Sequence, residues 1–322
     1  MKHLQQLLAL CVFILCFGMA TSSLAADAPA AESKLPERDK ACTLCHNESW
    51  PTPVLSIYQT KMGVIGDSRT PGCRDCHGPS ENHLKSPVNQ VDVYFGAVKP
   101  GPLQSDTWPK TPSSAEARNG ACLACHRGKA RTGWDGSQHQ VNQVACTNCH
   151  NIHAPEQKVL NRKTQTEVCF ACHKEQRAES LKFSTHPIQV GKVVCSDCHN
   201  PHGSAGPKLV KKNTVNETCY TCHAEKRGPF LFEHQSVTED CRNCHTPHGS
   251  NISPLLISRP PFMCQQCHDG PHQSPNPAGP SAAGNQGGFV GNANANFTGR
   301  ACLNCHSQIH GSNSPNGGYF QR

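Results

Sequence analysis

Large apolar side chains are scarce in this chain. Aromatics supply only 6% of the 322 residues, against 26 glycines and 25 prolines. A chain of this length ordinarily closes about one or two apolar cores. This one lacks the side chains to do so, and something else must fill its interior. Long apolar runs are also missing: beyond the N-terminal leader none approaches the roughly 20 residues that a spanning helix needs. No basic patch interleaved with aromatics is present, so the usual nucleic-acid signature is absent. Methionine is rare too, with only Met62 and Met263 lying beyond the leader.

The leader itself starts with Lys2 and continues as a 16-residue apolar run, Leu4 to Met19, interrupted by Gln5 and Gln6. "TSSLAADAPA" then offers a small-residue cleavage site, with Ser23 at −3 and Ala25 at −1. Residues 1–25 therefore read as a secretory signal peptide, too short and wrongly flanked for an anchor. Cys11 and Cys16 leave with it, and the mature chain is expected outside the cytoplasm.

Cysteine is abundant, and the remaining twenty of the 22 all fall into one pattern. The first five motifs are CTLCH (Cys42, Cys45, His46), CRDCH (Cys73, Cys76, His77), CLACH (Cys122, Cys125, His126), CTNCH (Cys146, Cys149, His150) and CFACH (Cys169, Cys172, His173). The second five are CSDCH (Cys195, Cys198, His199), CYTCH (Cys219, Cys222, His223), CRNCH (Cys241, Cys244, His245), CQQCH (Cys264, Cys267, His268) and CLNCH (Cys302, Cys305, His306). A disulfide framework places no demand on the residue after the second cysteine. Zinc ribbons pair two Cys-x-x-Cys units without requiring a histidine after each. Cys-x-x-Cys-His is the attachment signature of haem c: both sulfurs lie on one turn, ready to add to the two vinyl groups, and the next imidazole meets the iron. Ten such motifs predict ten covalently bound haem c groups. The macrocycles would supply the missing apolar filling, so folding would be coupled to cofactor insertion. They also reverse the charge balance. The mature chain has 29 basic and 23 acidic residues, and ten ferric haems at about −1 each bring it to about −4.

Ten further ligands are needed if every iron is capped on both faces. Histidines outside the motifs and the leader are His83, His139, His153, His186, His202, His234, His248, His272 and His310, nine in all. Met62, in a polar, glycine-flanked "KMG", is the candidate tenth, because Met263 adjoins Cys264 and is badly placed. A Met/His pair raises a haem's potential above that of a bis-histidine haem. A histidine three residues past its motif, as at His153, His202 and His248, emerges on the proximal side of its own haem and should serve a neighbouring iron. His272 and His310, four past theirs, should behave alike. His139, His186 and His234 precede a motif by seven to nine residues and are natural distal ligands.

One unit recurs along the chain: a histidine, a motif with a trailing histidine, then a second motif. It occurs at His139–Cys146–Cys169, His186–Cys195–Cys219 and His234–Cys241–Cys264, with periods of 49 and then 46 residues. A unit carrying two haems cannot close a core alone, so the units should stack along one axis. The expected fold is mostly α with extensive coil and little regular secondary structure: an elongated multihaem cytochrome with its haems in a row. Residues 26–180 would form an N-terminal pentahaem half and 181–322 a C-terminal one, in one continuous wire. Short helices are expected within Thr164 to Leu181 and Asn216 to Lys226. Ser86 to Glu116 reads as loop, and the low-complexity stretch from Gln273 to Phe297 reads as a linker.

"CSDCHNPHG", "NETCYTCHAEKRGP", "CQQCH", "GRACLNCHSQIHGSN" and the terminal "QR" resemble the MtrA/DmsE family of decahaem c-type cytochromes over essentially the whole mature chain. The resemblance implies a periplasm-facing wire held inside an outer-membrane β-barrel of the MtrB/PioB type. It further implies periplasmic cytochromes at one end and an extracellular multihaem cytochrome at the other. A row of ten macrocycles would outspan the roughly 40–45 Å of a bilayer, and a chain of this composition can cross only within a closed barrel. Where members of the family tend to carry "HG", this chain has "KMG", which is similar to the MtoA/PioA-like branch associated with oxidation of extracellular Fe(II). Outward electron flow, to extracellular metal or DMSO, is the alternative. A nitrite-type multihaem reductase would need an open iron, often marked by a variant motif, and no variant is present. Electron transfer without catalysis is thus the expectation, with no nucleic-acid partner.

Overall fold

The structure, a computed structural model, describes residues 35–50, 53–96, 111–268, 302–315 and 317–320. The leader, His272 and the linker lie outside them, as does the middle of the Ser86–Glu116 stretch. The described chain is a succession of short helices and turns. The longest helix, Ala115–Leu123, has nine residues. Among the described residues there is no sheet, only four isolated antiparallel bridges. The fold class is therefore the one expected: mostly helical, with extensive coil.

Three helices start at a hydroxyl that caps them. Ser114, Ser137 and Thr214 each accept a hydrogen bond from the backbone N–H three residues on, Ala117, Gln140 and Glu217, satisfying a donor that the first turn leaves unpaired. Gly78, with φ of 77°, ends the motif helix Cys73–His77. The segment expected to be helical from Thr164 to Leu181 contains two helices, Gln165–Phe170 and Lys174–Glu179, because the haem-attachment turn interrupts it. Asn216 to Lys226 is broken likewise, into Val215–Cys219 and Ala224–Lys226. The expected loop is corrected at its end, where Ala115 and Glu116 already belong to a capped helix.

The bridges repeat with the sequence. Two residues before a pre-motif histidine, Ser184 and Phe232 pair with Ser250 and Ser312, each two residues past a trailing histidine. His199 pairs with Val210 and His245 with Leu256, eleven residues on in both cases. Arg162 joins successive units by a bidentate ion pair to Asp197, with N–O distances of 2.8 and 2.7 Å.

No continuous apolar core is present among the described residues. The buried hydrophobics are Tyr94, Ala115, Trp134, Ala145, Val194, Val210, Leu256 and Met263, scattered along the chain. Leu44, Leu181, Phe183, Leu231 and Phe262 stay exposed to the polypeptide's exterior. Several of the best-buried side chains are instead polar: Asp39, Asn119, Gln165 and Asn216.

Candidate multihaem site

Each motif closes on itself as one turn. The motif histidine's N–H donates to the carbonyl of the first cysteine at His46, His126, His150, His173, His199, His223, His245, His268 and His306, over 2.8–3.0 Å. This sets the two sulfurs on one face of the turn, as attachment to one macrocycle requires.

Consecutive motifs are then fastened to one another by those buried polar side chains. Asn119, three residues before Cys122, accepts from the Cys146 N–H at 2.8 Å and donates to the Val144 carbonyl at 3.0 Å. Asn216, three before Cys219, repeats this: it accepts from Cys241 N–H at 2.7 Å and donates to the carbonyls of Val237 and Thr238. Asp39 accepts from Cys73 N–H at 2.8 Å, and Gln165 from Ser196 N–H at 3.0 Å. A donor at a helix start is thereby satisfied in a place water does not reach.

The clamps fix a regular order of cysteines. First-cysteine sulfurs lie close enough to interact at Cys42/Cys73, Cys122/Cys146, Cys169/Cys195, Cys219/Cys241 and Cys264/Cys302. Second cysteines come within electrostatic reach at Cys76/Cys125, Cys149/Cys172, Cys198/Cys222 and Cys244/Cys267. The two kinds of junction alternate without a break from the first motif to the tenth. The motifs thus lie in a single file in chain order.

Histidine rings face each other in eight pairs: His46/His83, His77/His153, His139/His173, His150/His202, His186/His223, His199/His248, His234/His268 and His245/His310. Their centroid separations all lie between 6.0 and 6.4 Å, although their interplanar angles run from 14° to 69°. Rings packed by contact would change spacing as they tilt. A constant spacing over that range of angles is what a metal between two Nε2 atoms gives: two bonds of about 2.0 Å plus two ring radii of about 1.2 Å sum to about 6.4 Å. The donor set and its spacing fit haem iron.

In ten of the histidines the other ring nitrogen is occupied, which determines the one that remains to bind a metal. Nδ1 bonds a backbone carbonyl in His77 (Val93), His83 (Asn89), His139 (Pro201), His153 (Val54), His186 (Pro247), His199 (Lys208), His245 (Pro254) and His306 (Tyr319). In His150 the acceptor is the Gln157 side-chain amide, and in His248 it is the Glu179 carboxylate. Burial, followed by the charge of facing histidines, holds His77 down at about 4. Burial likewise lowers His46, His199, His202, His234, His245 and His310. Neutral imidazole is the form that ligates.

The trailing histidines do not face the adjacent motif's ring, as their spacing suggests. His153, His202, His248 and His310 face the histidine two motifs back. The residues around them explain the reach. In "NPHG" and "TPHG" the proline carbonyl receives the Nδ1–H of His139 or His186, and the Ile309 backbone faces His234 in the same register. The following glycine adopts a positive φ, 112° at Gly203 and 152° at Gly249. A Cβ there would overlap the carbonyl oxygen of Gly133 or Glu179.

Met62 is half-buried, and Gly63 beside it is packed so closely against the Ile57 carbonyl that a Cβ would overlap it. Among the described residues no histidine ring faces that of His126, and His272 lies outside them. Sequence reasoning missed the clamp residues and Glu179. For Asp39, Asn119 and Asn216 the sequence signal is a polar residue three before the first cysteine, in "DKAC", "NGAC" and "NETC".

Comparison with known proteins adds to this geometry. The doubled CXXCH motif family matches residues 186–228 and 234–273. The NrfB-like cytochrome c-type protein family matches residues 73–166. A protein described as multiheme cytochrome MtrA, from Shewanella baltica (strain OS185), is 42% identical over 293 residues, which is 89% of this chain and 82% of that protein.

Proposed function

Since the chain belongs to the MtrA family of multihaem c-type cytochromes, we propose that it conducts electrons across an outer membrane through ten haems, each closed on both faces by its own side chains. Covalent attachment of haem c through paired motifs, and a role in electron transfer, come with membership of the family. Each haem supplies a one-electron iron couple.

In this reading the eight ring pairs are sixteen of the twenty axial ligands. The repeat supplies the rest. His139, His186 and His234 each precede one motif and face the histidine of the next. By the same register Met62, eleven residues before Cys73, belongs to His126. His272 is then left for His306. The chain's own residues thus position every iron and exclude small molecules from it, and an oxidised or reduced centre can only exchange charge with its neighbours in the file. A reductase of nitrite type would need an open iron, which the paired rings argue against. The observation that carries the reading is the near-constant ring spacing across eight pairs.

In this reading the protein is exported to the periplasm, where the N-terminal end of the row meets periplasmic cytochromes. The remainder is held in an outer-membrane β-barrel of the MtrB/PioB type, with an extracellular multihaem cytochrome as the outer partner. Met62 favours inward flow from extracellular Fe(II): a thioether ligand stabilises ferrous iron, and it makes the third haem an electron sink near the periplasmic end. Outward flow would use the same row in reverse.

The test is reconstitution of the holoprotein with its barrel partner in vesicles containing an oxidised small cytochrome. External Fe(II) should reduce the trapped acceptor only when both proteins are present, and carbon monoxide should leave the reduced spectrum unchanged. Ready binding of carbon monoxide by the native protein, or no reduction of the acceptor, would overturn it.

A further inference from the structure

Among the described histidines whose Nδ1 bond is resolved, His248 alone donates to a carboxylate; Glu225 stands off from His223 Nδ1 at 3.8 Å, beyond hydrogen-bond reach. We infer that Glu179 tunes the haem held by His199 and His248 to a lower potential than its bis-histidine neighbours, an inference that rests on the ligand reading above.

Glu179 Oε2 lies 3.2 Å from His248 Nδ1, and the His248 ring faces His199 with centroids 6.1 Å apart. A hydrogen bond from a ligating imidazole to a carboxylate draws the proton away from the ring and makes Nε2 a stronger donor, which favours ferric iron. A carbonyl acceptor, as at His199 and the Lys208 backbone, does this less. The carboxylate's charge adds in the same direction, and it is not cancelled. Among the described residues no lysine or arginine lies within ion-pair distance of Glu179; its one charge partner is His248.

The carboxylate is held where it is. Glu179 ends the helix Lys174–Glu179, and its carbonyl accepts from Lys182 N–H at 3.0 Å. Gly249 follows His248 immediately, and a Cβ there would overlap that same carbonyl. The Ser184–Ser250 bridge, with bonds of 2.8 and 2.9 Å, pins the chain just beyond Gly249.

The preceding unit provides an internal control. Gly203 follows His202, and a Cβ there would overlap the Gly133 carbonyl as one at Gly249 would overlap that of Glu179. Both partners are displaced by 46 residues, from 203 to 249 and from 133 to 179. The backbone slot is the same, but one holds glycine with no side chain to reach the ligand, and the other holds glutamate. Trp134 lies near His202 instead, with ring centroids 6.5 Å apart.

The test compares the full-length holoprotein with Glu179→Gln, which keeps the shape and an acceptor but removes the charge. Potentiometric titration followed by electron paramagnetic resonance should show one low-spin signal moving to higher potential, by on the order of a tenfold change in its oxidised-to-reduced ratio at fixed potential, about 59 mV for one electron. The other signals should stay in place. His248→Ala identifies that signal by turning one low-spin centre high-spin. If His248→Ala leaves all centres low-spin, the ligand reading fails. If it converts one centre but Glu179→Gln titrates like the parent, the role of Glu179 alone is overturned.

Discussion

Asn216→Ala tests whether the buried amides hold the row together. The side chain is 6% exposed and makes three hydrogen bonds: it accepts from Cys241 N–H at 2.7 Å and donates to the Val237 and Thr238 carbonyls at 2.9 and 3.1 Å. Alanine leaves all three backbone groups without their partner. The stranded Cys241 N–H by itself should cost about 1–3 kcal/mol. That cost falls on the local opening of the seventh-to-eighth motif junction, where the Cys219 and Cys241 sulfurs lie together. In amide hydrogen exchange on the holoprotein, the peptide containing Cys241 should therefore exchange about 5- to 150-fold faster. The peptide containing Cys146, clamped independently by Asn119, should be unchanged. Equal protection of Cys241 in variant and parent would refute the clamp. A uniform loss of protection along the chain would show that the effect is global rather than a property of this junction.

Two further substitutions probe the ligands. Met62→His should lower the potential of one haem and remove a methionine-to-iron charge-transfer band near the red end of the oxidised spectrum; a titration and spectrum identical to the parent would remove Met62 from the ligand set. Gly203→Ala places a Cβ on the Gly133 carbonyl at a φ of 112°. It adds backbone strain of about 1–3 kcal/mol, and should push His202 away from His150, visible as a fraction of high-spin haem; a fully low-spin spectrum would show that the close approach does not position the ring.

Much of the site was legible in the sequence because its chemistry is local. The attachment motif is a single turn of five residues, so its sulfurs and histidine can be read from spacing alone. The census of distal ligands could be taken for the same reason, by counting what was left. Their partners could not, because His153 faces His77 across 76 residues and His245 faces His310 across 65, and nothing in local spacing encodes such a distance. The fold class came from what the chain lacks: with so few large apolar side chains there is no core for long helices to pack on. The helix breaks at Cys169–His173 and Cys219–His223 come from the attachment turns, which override the helical pattern on either side. The clamp residues were missed because a single asparagine on a short helix looks like any solvated polar residue until the next motif's amide is seen resting on it.

The reach of the trailing histidines bears on how the molecule can be divided. A cut at residue 180 would separate His150 from His202, Gln165 from Ser196, Arg162 from Asp197 and Glu179 from His248. The parts on either side of such a cut are therefore not beads on a string but links of a knitted fabric, in which each stitch is closed by yarn from further along. Evolution could lengthen such a molecule by adding a whole unit at its period, but could not shorten it at an arbitrary point without unravelling a row.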